Sequence, residues 1–350
     1  MGHLRTNLAF AVVAVTALLL SIAVLFGYLA TAPSANTLRI GFLPNVTHAT
    51  ALFGIATGMY QEAFGSEFAV QSRAYNAGPD AISALLTQQV DLVFVGPSPT
   101  LNGLAVAGPD ALRVVAGAAS GGASFIIQPY INLNTDADFH GKKFATPQIR
   151  NTQDIALQHY LLTRGHTTFI RGGDVDVIYP PNPDILALFQ RGQIDGAWVP
   201  EPWATRLVRE AGGKVFLDER TLWPNKQFVT THLVTTKRYL DGHRDILTKF
   251  LNTYVNVTLR LQQADASDLT IVNGEIANLT RVHLDQTIVD AAFMNLNLTY
   301  DPIGSSLATY LIWAQDLGFV KKGLDAKSLY DLTLLNEILV RRGLPPVTGL

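Results

Sequence analysis

The sequence predicts an α/β protein built from two similar lobes, and three observations carry that expectation. Strand patterns alternate with helix patterns from Leu38 to Val199, which argues for parallel sheet with ligands at one edge. A segment from Gly78, GPDAISALLTQQVDLVFVGPSP, is echoed from Asn182 by NPDILALFQRGQIDGAWVPEP, and Asp80 precedes Asp91 by the spacing at which Asp184 precedes Asp195. Two apolar extended stretches, Phe125–Pro129 and Leu233–Thr236, read as crossings between the halves. With 350 residues, 48% of them hydrophobic, there is chain enough for two cores.

Leu8–Ala32 carries no charge, and as a helix it would span about 37 Å at 1.5 Å per residue, enough to cross a bilayer. Pro33 follows the cleavage-like Ala30-Thr31-Ala32, so an uncleaved anchor is expected rather than a removed signal. Arg5 should keep the short end cytoplasmic and send the body outside. Four Asn-x-Thr triplets, at Asn45, Asn256, Asn278 and Asn297, agree with that placement.

Within the body, Leu38–Leu43 reads as a strand and Pro44–His48 as a loop, with Thr47 capping the next helix. Phe68–Tyr75, Asp91–Val95 and Arg113–Gly117 follow as strands. Gly78-Pro79-Asp80 opens a helix, Gly96–Pro99 is a turn and Ala118–Ala123 a small-residue loop. Lys143–Pro147 is a strand and turn, Asn151–Asp154 opens a helix, Val175–Tyr179 is a strand and Asp184–Arg191 a helix. Ala197–Val199 is a buried strand ending on Pro200-Glu201-Pro202, with Pro202 as first helical residue and Gly212-Gly213 as the stop. From Asp241 onward the periodicity is helical. The expected division is 1–36 for stub, anchor and tether, 37–130 and 236–350 for the first lobe, and 131–235 for the second.

Composition excludes several function classes. A net charge of −2 without a basic stripe argues against nucleic acid. There are no cysteines, hence no disulfide, thiolate metal site, cysteine nucleophile or lipidated N-terminal cysteine. The eight histidines form no HxxxH or HxH pair, so no metal site is expected. No nucleophile elbow, phosphate-cradling glycine loop or carboxylate pair is present, so binding without chemistry and without a cofactor is the simpler reading.

A cleft between the lobes would be lined by Asn45, His48, Ser98, Ser120, Gly121, Thr152, Gln153, Glu201, Thr230 and Thr231, polar but mostly uncharged. Thr152 and Gln153 stand where a helix begins, so free N–H groups and the positive end of the dipole suit an anion. Arg150, just before that cap, either adds a full charge or is solvated outside. His48 and Glu201 can each face a ligand or serve structure alone, whereas Trp198 and Trp203 read as core.

From about Leu38 to Asp241 the chain resembles the substrate-binding proteins of nitrate/sulfonate/taurine-type ABC transporters. The segments that carry the resemblance are IGFLPNVTHA, ALLTQQVDLVFVGPSPTLN, ATPQIRNTQDIALQHYL, NPDILALFQRGQIDGAWVPEPWATRLVREAGGKV and DERTLWPNKQFVTTHLV. The aliphatic-sulfonate branch is the nearest in pattern. The resemblance implies a periplasmic-binding-protein-like fold of the second type, with two α/β lobes, two crossover strands and C-terminal helices packed on the first lobe. It implies a small anionic ligand and, as partners, an ABC permease and its ATPase. It places ligand contacts at Asn45–His48, at Gly96, Pro97 and Ser98, and at Ser120-Gly121, Thr152-Gln153 and Glu201. Arg150 departs from the pattern, since relatives carry a small residue there. A synthase of thiamine-pyrimidine precursors on the same fold and a membrane-tethered ligand sensor are the alternatives.

Overall fold

The chain lays down strands of alternating faces and covers each face with helices. Residues 36–348 are described here by a computed structural model. In chain order the elements are β1 (Thr37–Phe42), α1 (Ala49–Ala56), α2 (Met59–Phe64), β2 (Ala69–Ala74), α3 (Gly78–Leu86), β3 (Leu92–Val95), α4 (Pro97–Ala107), β4 (Leu112–Gly121) and β5 (Ala123–Ile127). There follow β6 (Lys143–Ala145), α5 (Thr152–Leu162), β7 (Asp176–Ile178), α6 (Asn182–Gln190), β8 (Gly196–Pro200), α7 (Trp203–Ala211) and β9 (Lys214–Asp218). The last part holds β10 (Val229–Thr236), α8 (Lys237–Gly242), α9 (Arg244–Leu261), α10 (Ala266–Thr280), α11 (Gln286–Phe293), β11 (Leu296–Leu298), α12 (Gly304–Asp316) and α13 (Thr333–Arg341).

Two sheets result, ordered β11-β4-β10-β3-β1-β2 and β7-β6-β8-β5-β9. Period-two alternation decides what each face buries. On β3, Leu92 and Phe94 join the cluster under α1, α2, α9, α10 and α13, while Val93 and Val95 join the one under α3, α4 and α12. On β5, Phe125 and Ile127 pack toward α5, and Ile126 toward α6 and α7. Trp198 on β8 is fully buried, stacked 5.4 Å from Phe125.

The internal echo corresponds to α3–β3 in one sheet and α6–β8 in the other. Its two aspartates do the same work. The Arg39 amide donates to the Asp91 carboxylate (2.8 Å) while the Asp91 amide donates to the Arg39 carbonyl (2.8 Å). The Lys143 amide and Asp195 repeat the exchange, at 2.7 Å each way. Each aspartate thus ties the start of its strand to the parallel neighbour, β1 or β6.

Several expectations are corrected. Neither sheet is wholly parallel: β10 runs antiparallel to β3 and β4, β11 antiparallel to β4, and β5 antiparallel to β8 and β9. Ala118–Ala123 is no loop but the end of β4 and the start of β5. Gly121 and Gly122 turn the chain there with φ of 76° and 74°, a region open to glycine at no steric cost. The crossings therefore lie at Gly122 and at residues 219–228, while Phe125–Pro129 and Leu233–Thr236 belong to, or overlap, strands inside their sheets. Gly96–Pro99 is the start of α4, Thr47 sits in a 3₁₀ turn with no capping bond, and Pro202 caps α7 after a cis Glu201–Pro202 bond instead of opening the helix. Strands β9 and β11 had no counterpart in the sequence reading.

The expected anchor, Leu8–Ala32, lies outside the described residues. Among the described residues no helix is long and apolar enough to cross a membrane.

Candidate functional site

The chain places one polar cavity where the C-terminal ends of β1, β3, β6 and β8 meet. Asn45, Thr47 and His48 line it after β1, Gly96 after β3, Pro147 after β6 and Pro200 at the end of β8, with Thr230 and Thr231 on β10. Four helices begin at it: α3 with Gly78, α4 with its cap Gly96, α5 with Asn151, Thr152 and Gln153, and α6 with Asn182. Only α5 starts without proline and keeps all its free, partly positive N–H groups; Pro79, Pro97, Pro99 and Pro183 remove some of those of α3, α4 and α6, which add chiefly the positive ends of their dipoles. No Asp, Glu, Lys or Arg side chain lines the cavity. The space is about 20 Å³, enough for little more than one water.

Three lining side-chain atoms are buried without a protein partner: the Thr152 and Thr231 hydroxyls and Asn182 Oδ1. Buried polar groups are ordinarily paired, so such atoms mark where a ligand would bond. His48 is fully buried, and burial pushes its imidazole down to about 3, so the ring is neutral. Its Nδ1 accepts the Leu43 amide (3.3 Å), which leaves the proton on Nε2 as a donor. Behind Gly96, the Thr100 hydroxyl donates to the Gly96 carbonyl (3.0 Å) and receives His232 Nε2 (2.8 Å).

The lobes touch around the cavity. The Trp203 indole Nε1 donates to Asn45 Oδ1 (3.0 Å), and Asn102 Nδ2 donates to the Arg150 carbonyl (2.9 Å). Gly96 faces Thr152 so closely that a Cβ there would stand 2.3 Å from the Thr152 hydroxyl.

Of the twelve residues expected at the cleft, the structure brings Asn45, His48, Gly96, Thr152, Gln153, Thr230 and Thr231 to the cavity wall. Pro97, Ser98, Ser120, Gly121 and Glu201 stand off it. Ser98 is buried in the first turn of α4. Ser120 and Gly121 end β4, and the Gly121 carbonyl accepts the hydroxyl of Thr230, which does line the cavity. Glu201 is buried and faces a separate cavity; its carboxylate accepts the Thr205 amide (3.0 Å) and Asn295 Nδ2 (2.7 Å), and burial raises its pKa. Arg150 lies off the wall as well, its guanidinium 5.0 Å from the centre of the Phe319 ring.

Sequence reasoning missed Leu43, Asn76, Gly78, Pro147, Asn151, Asn182 and Pro200 as wall residues. The echo held the signal for four of the wall positions. It aligns Gly78 with Asn182 and Gly96 with Pro200, so each lobe presents the same two positions.

A family description, the NMT1-like family, matches residues 31–272, more than half of the sequence. The chain belongs to the NMT1-like family. A taurine-binding periplasmic protein of Escherichia coli strain K12 is 25% identical over 188 residues, 53% of this chain and 56% of that protein. The chain thus matches just over half the length of that relative. Among solved structures, the alkanesulfonate-binding protein of Xanthomonas axonopodis pv. citri bound to MOPS superposes with a TM-score of 0.70 at 18% identity, covering 86% of this chain and 99% of the other. The periplasmic nitrate-binding protein of Synechocystis PCC 6803 does so with 0.73 at 15% identity, covering 90% and 91%. Those two likenesses are of fold: two α/β lobes around a cleft.

Proposed function

We propose that this NMT1-like chain is the extracytoplasmic substrate-binding component of an ABC importer. It captures a small anion such as an aliphatic sulfonate, taurine or nitrate between its lobes and delivers it to the permease. One observation carries the reading: four helix N-termini converge on a cavity whose wall has no charged side chain. An anion there meets the N–H groups that open α5, the Thr152 and Thr231 hydroxyls and His48 Nε2–H, and no carboxylate repels it. The names of the relatives, which bind taurine, alkanesulfonate and nitrate, agree with this chemistry.

Binding needs no bond to be made or broken. His48 has spent its Nδ1 lone pair on the Leu43 amide and has no basic nitrogen left for proton transfer. The ligand enters by hinge motion at Gly122 and residues 219–228 and leaves the same way. Leu8–Ala32 serves, on its composition alone, as the membrane anchor of the tethered receptor.

The test is calorimetry and thermal denaturation with taurine, short alkanesulfonates and nitrate. At least one should saturate and stabilise the fold by about 2.7 kcal/mol at a hundred times its Kd. Stabilisation by none of them overturns the reading.

A further inference from the structure

The turn that opens α5 is fastened to both lobes by one residue. Arg150 stands in the left-handed region, with φ 61°, and its amide donates to the Asp154 carboxylate (2.6 Å) within its own lobe. Its other two contacts cross to the first lobe. Its carbonyl accepts Asn102 Nδ2 on α4 (2.9 Å), and its guanidinium carbon lies 5.0 Å from the centre of the Phe319 ring, which packs on the first lobe's cluster after α12. A second arginine of the second lobe joins it. Arg171, in the 3₁₀ turn Phe169–Arg171, stands 5.8 Å from the same ring and donates to the Leu317 carbonyl (2.5 Å). The residues next along the chain from Arg150 are Asn151, Thr152 and Gln153, which line the anion cavity, whereas Arg150 itself does not.

We infer that Arg150 is the strap of the anion site: it holds the start of α5 against the first lobe without touching the ligand, and so sets how slowly a captured anion is released. This rests on the anion-binding reading and deepens it. A contact between lobes forms as they close, and its free energy favours the closed, ligand-holding state. An anion leaves only after that contact parts, so the contact acts on dissociation. A charge that attracted the anion from solution would act on association instead, and would fade with salt. The geometry favours the first role, because the guanidinium faces an aromatic ring of the other lobe and not the cavity. Attraction between a guanidinium and a ring amounts to about a two- to fivefold change in an equilibrium constant. The backbone agrees: a residue other than glycine adopts φ 61° at a cost, and such strain persists where the surroundings hold it for a purpose.

The experiment measures association and dissociation rates of whichever of taurine, methanesulfonate and nitrate binds, by stopped-flow tryptophan fluorescence at low and high salt. Arg150→Gly should speed dissociation about two- to fivefold and leave association unchanged at either salt. Its urea midpoint should hold or rise, since glycine takes φ 61° freely. Arg150→Lys keeps the charge but not the planar stack, and should release the anion as Arg150→Gly does. Phe319→Leu should also speed dissociation, and by less in the Arg150→Gly background, where the ring's partner is already gone. Slower association in Arg150→Gly, with Arg150→Lys behaving as wild type, would make the residue a steering charge and overturn the strap. Unchanged dissociation in Arg150→Gly, or effects of Arg150→Gly and Phe319→Leu that simply multiply, would overturn it too and leave the anion site standing. Absence of binding of all three anions to wild type removes the transport reading itself, and this inference with it.

Discussion

Thr152 and Thr231 present the cavity with hydroxyls that no protein group satisfies. A bond from such a group to an anion is charge-assisted, worth about 1.5 kcal/mol or more, whereas the unbound protein gains nothing from either hydroxyl. Thr152→Val and Thr231→Val should each weaken anion binding about tenfold or more. The urea midpoint of the free protein should be unchanged or slightly raised. Titration calorimetry and urea melts separate the two quantities. Lost stability with intact affinity would make these hydroxyls structural. At this scale the sequence was partly legible. Thr152 and Gln153 were readable because a helix start advertises its N–H groups. Glu201 was equally conspicuous, yet its carboxylate turns to Thr205 and Asn295. Nothing local in Pro-Glu-Pro reports which way that side chain faces.

At the scale of elements, the first turns of α4 and α5 approach each other across the cleft. Gly96 has an ordinary φ of −72°, so alanine there strains no backbone. What it meets is the Thr152 hydroxyl, at 2.3 Å. Gly96→Ala should therefore hold the lobes apart: weaker binding, and a larger radius of gyration with saturating ligand by small-angle scattering. Adding Thr152→Ala removes the obstacle and should restore compaction; failure to do so would place the effect elsewhere. Helix α4 itself escaped the sequence reading because Gly-Pro-Ser-Pro looks like a turn. Both prolines fall in the first helical turn, where N–H groups have no intrahelical partner and their loss costs little. The end of β4 escaped for a different reason. Its small residues carry little strand preference, and what holds them in the sheet is their antiparallel pairing with β11, a strand far along the chain.

At the scale of the molecule, the return crossing carries a buried acid that both parts of the structure hold. Trp198 on β8 donates to Glu219 Oε2 (2.8 Å), and Tyr310 on α12 donates to Oε1 (2.5 Å). The charge acting on it is that of Asp218, itself bonded to Arg220. Burial pushes Glu219 up to about 7. Between about pH 4.5, where the unfolded side chain titrates, and about pH 7, the folded state keeps a proton that the unfolded state has lost. This group's contribution to stability is therefore present at low pH and disappears as pH rises through that window. Glutamine does not titrate. The stability of wild type minus that of Glu219→Gln should fall by about 3 kcal/mol across the window and stay flat above it, measured by urea melts over a pH series. A flat difference throughout would mean the acid is ionised when folded. His48 and His232, both pushed down to about 3 by burial, act oppositely and cost stability as pH falls below about 6.5.

The sequence by itself determined the periodicities, the echoed unit with its paired aspartates, and the helix start at Thr152. Each follows from contacts within one or two neighbouring elements, and a local pattern records which face of an element is buried. Tertiary structure alone decided that four helix starts share one hollow, that Glu201 looks away from it, and that the Trp203 indole closes on Asn45. Those facts join residues far apart in the chain through sheet order and the meeting of the two lobes, and no periodicity encodes the direction in which a buried side chain finds its partner.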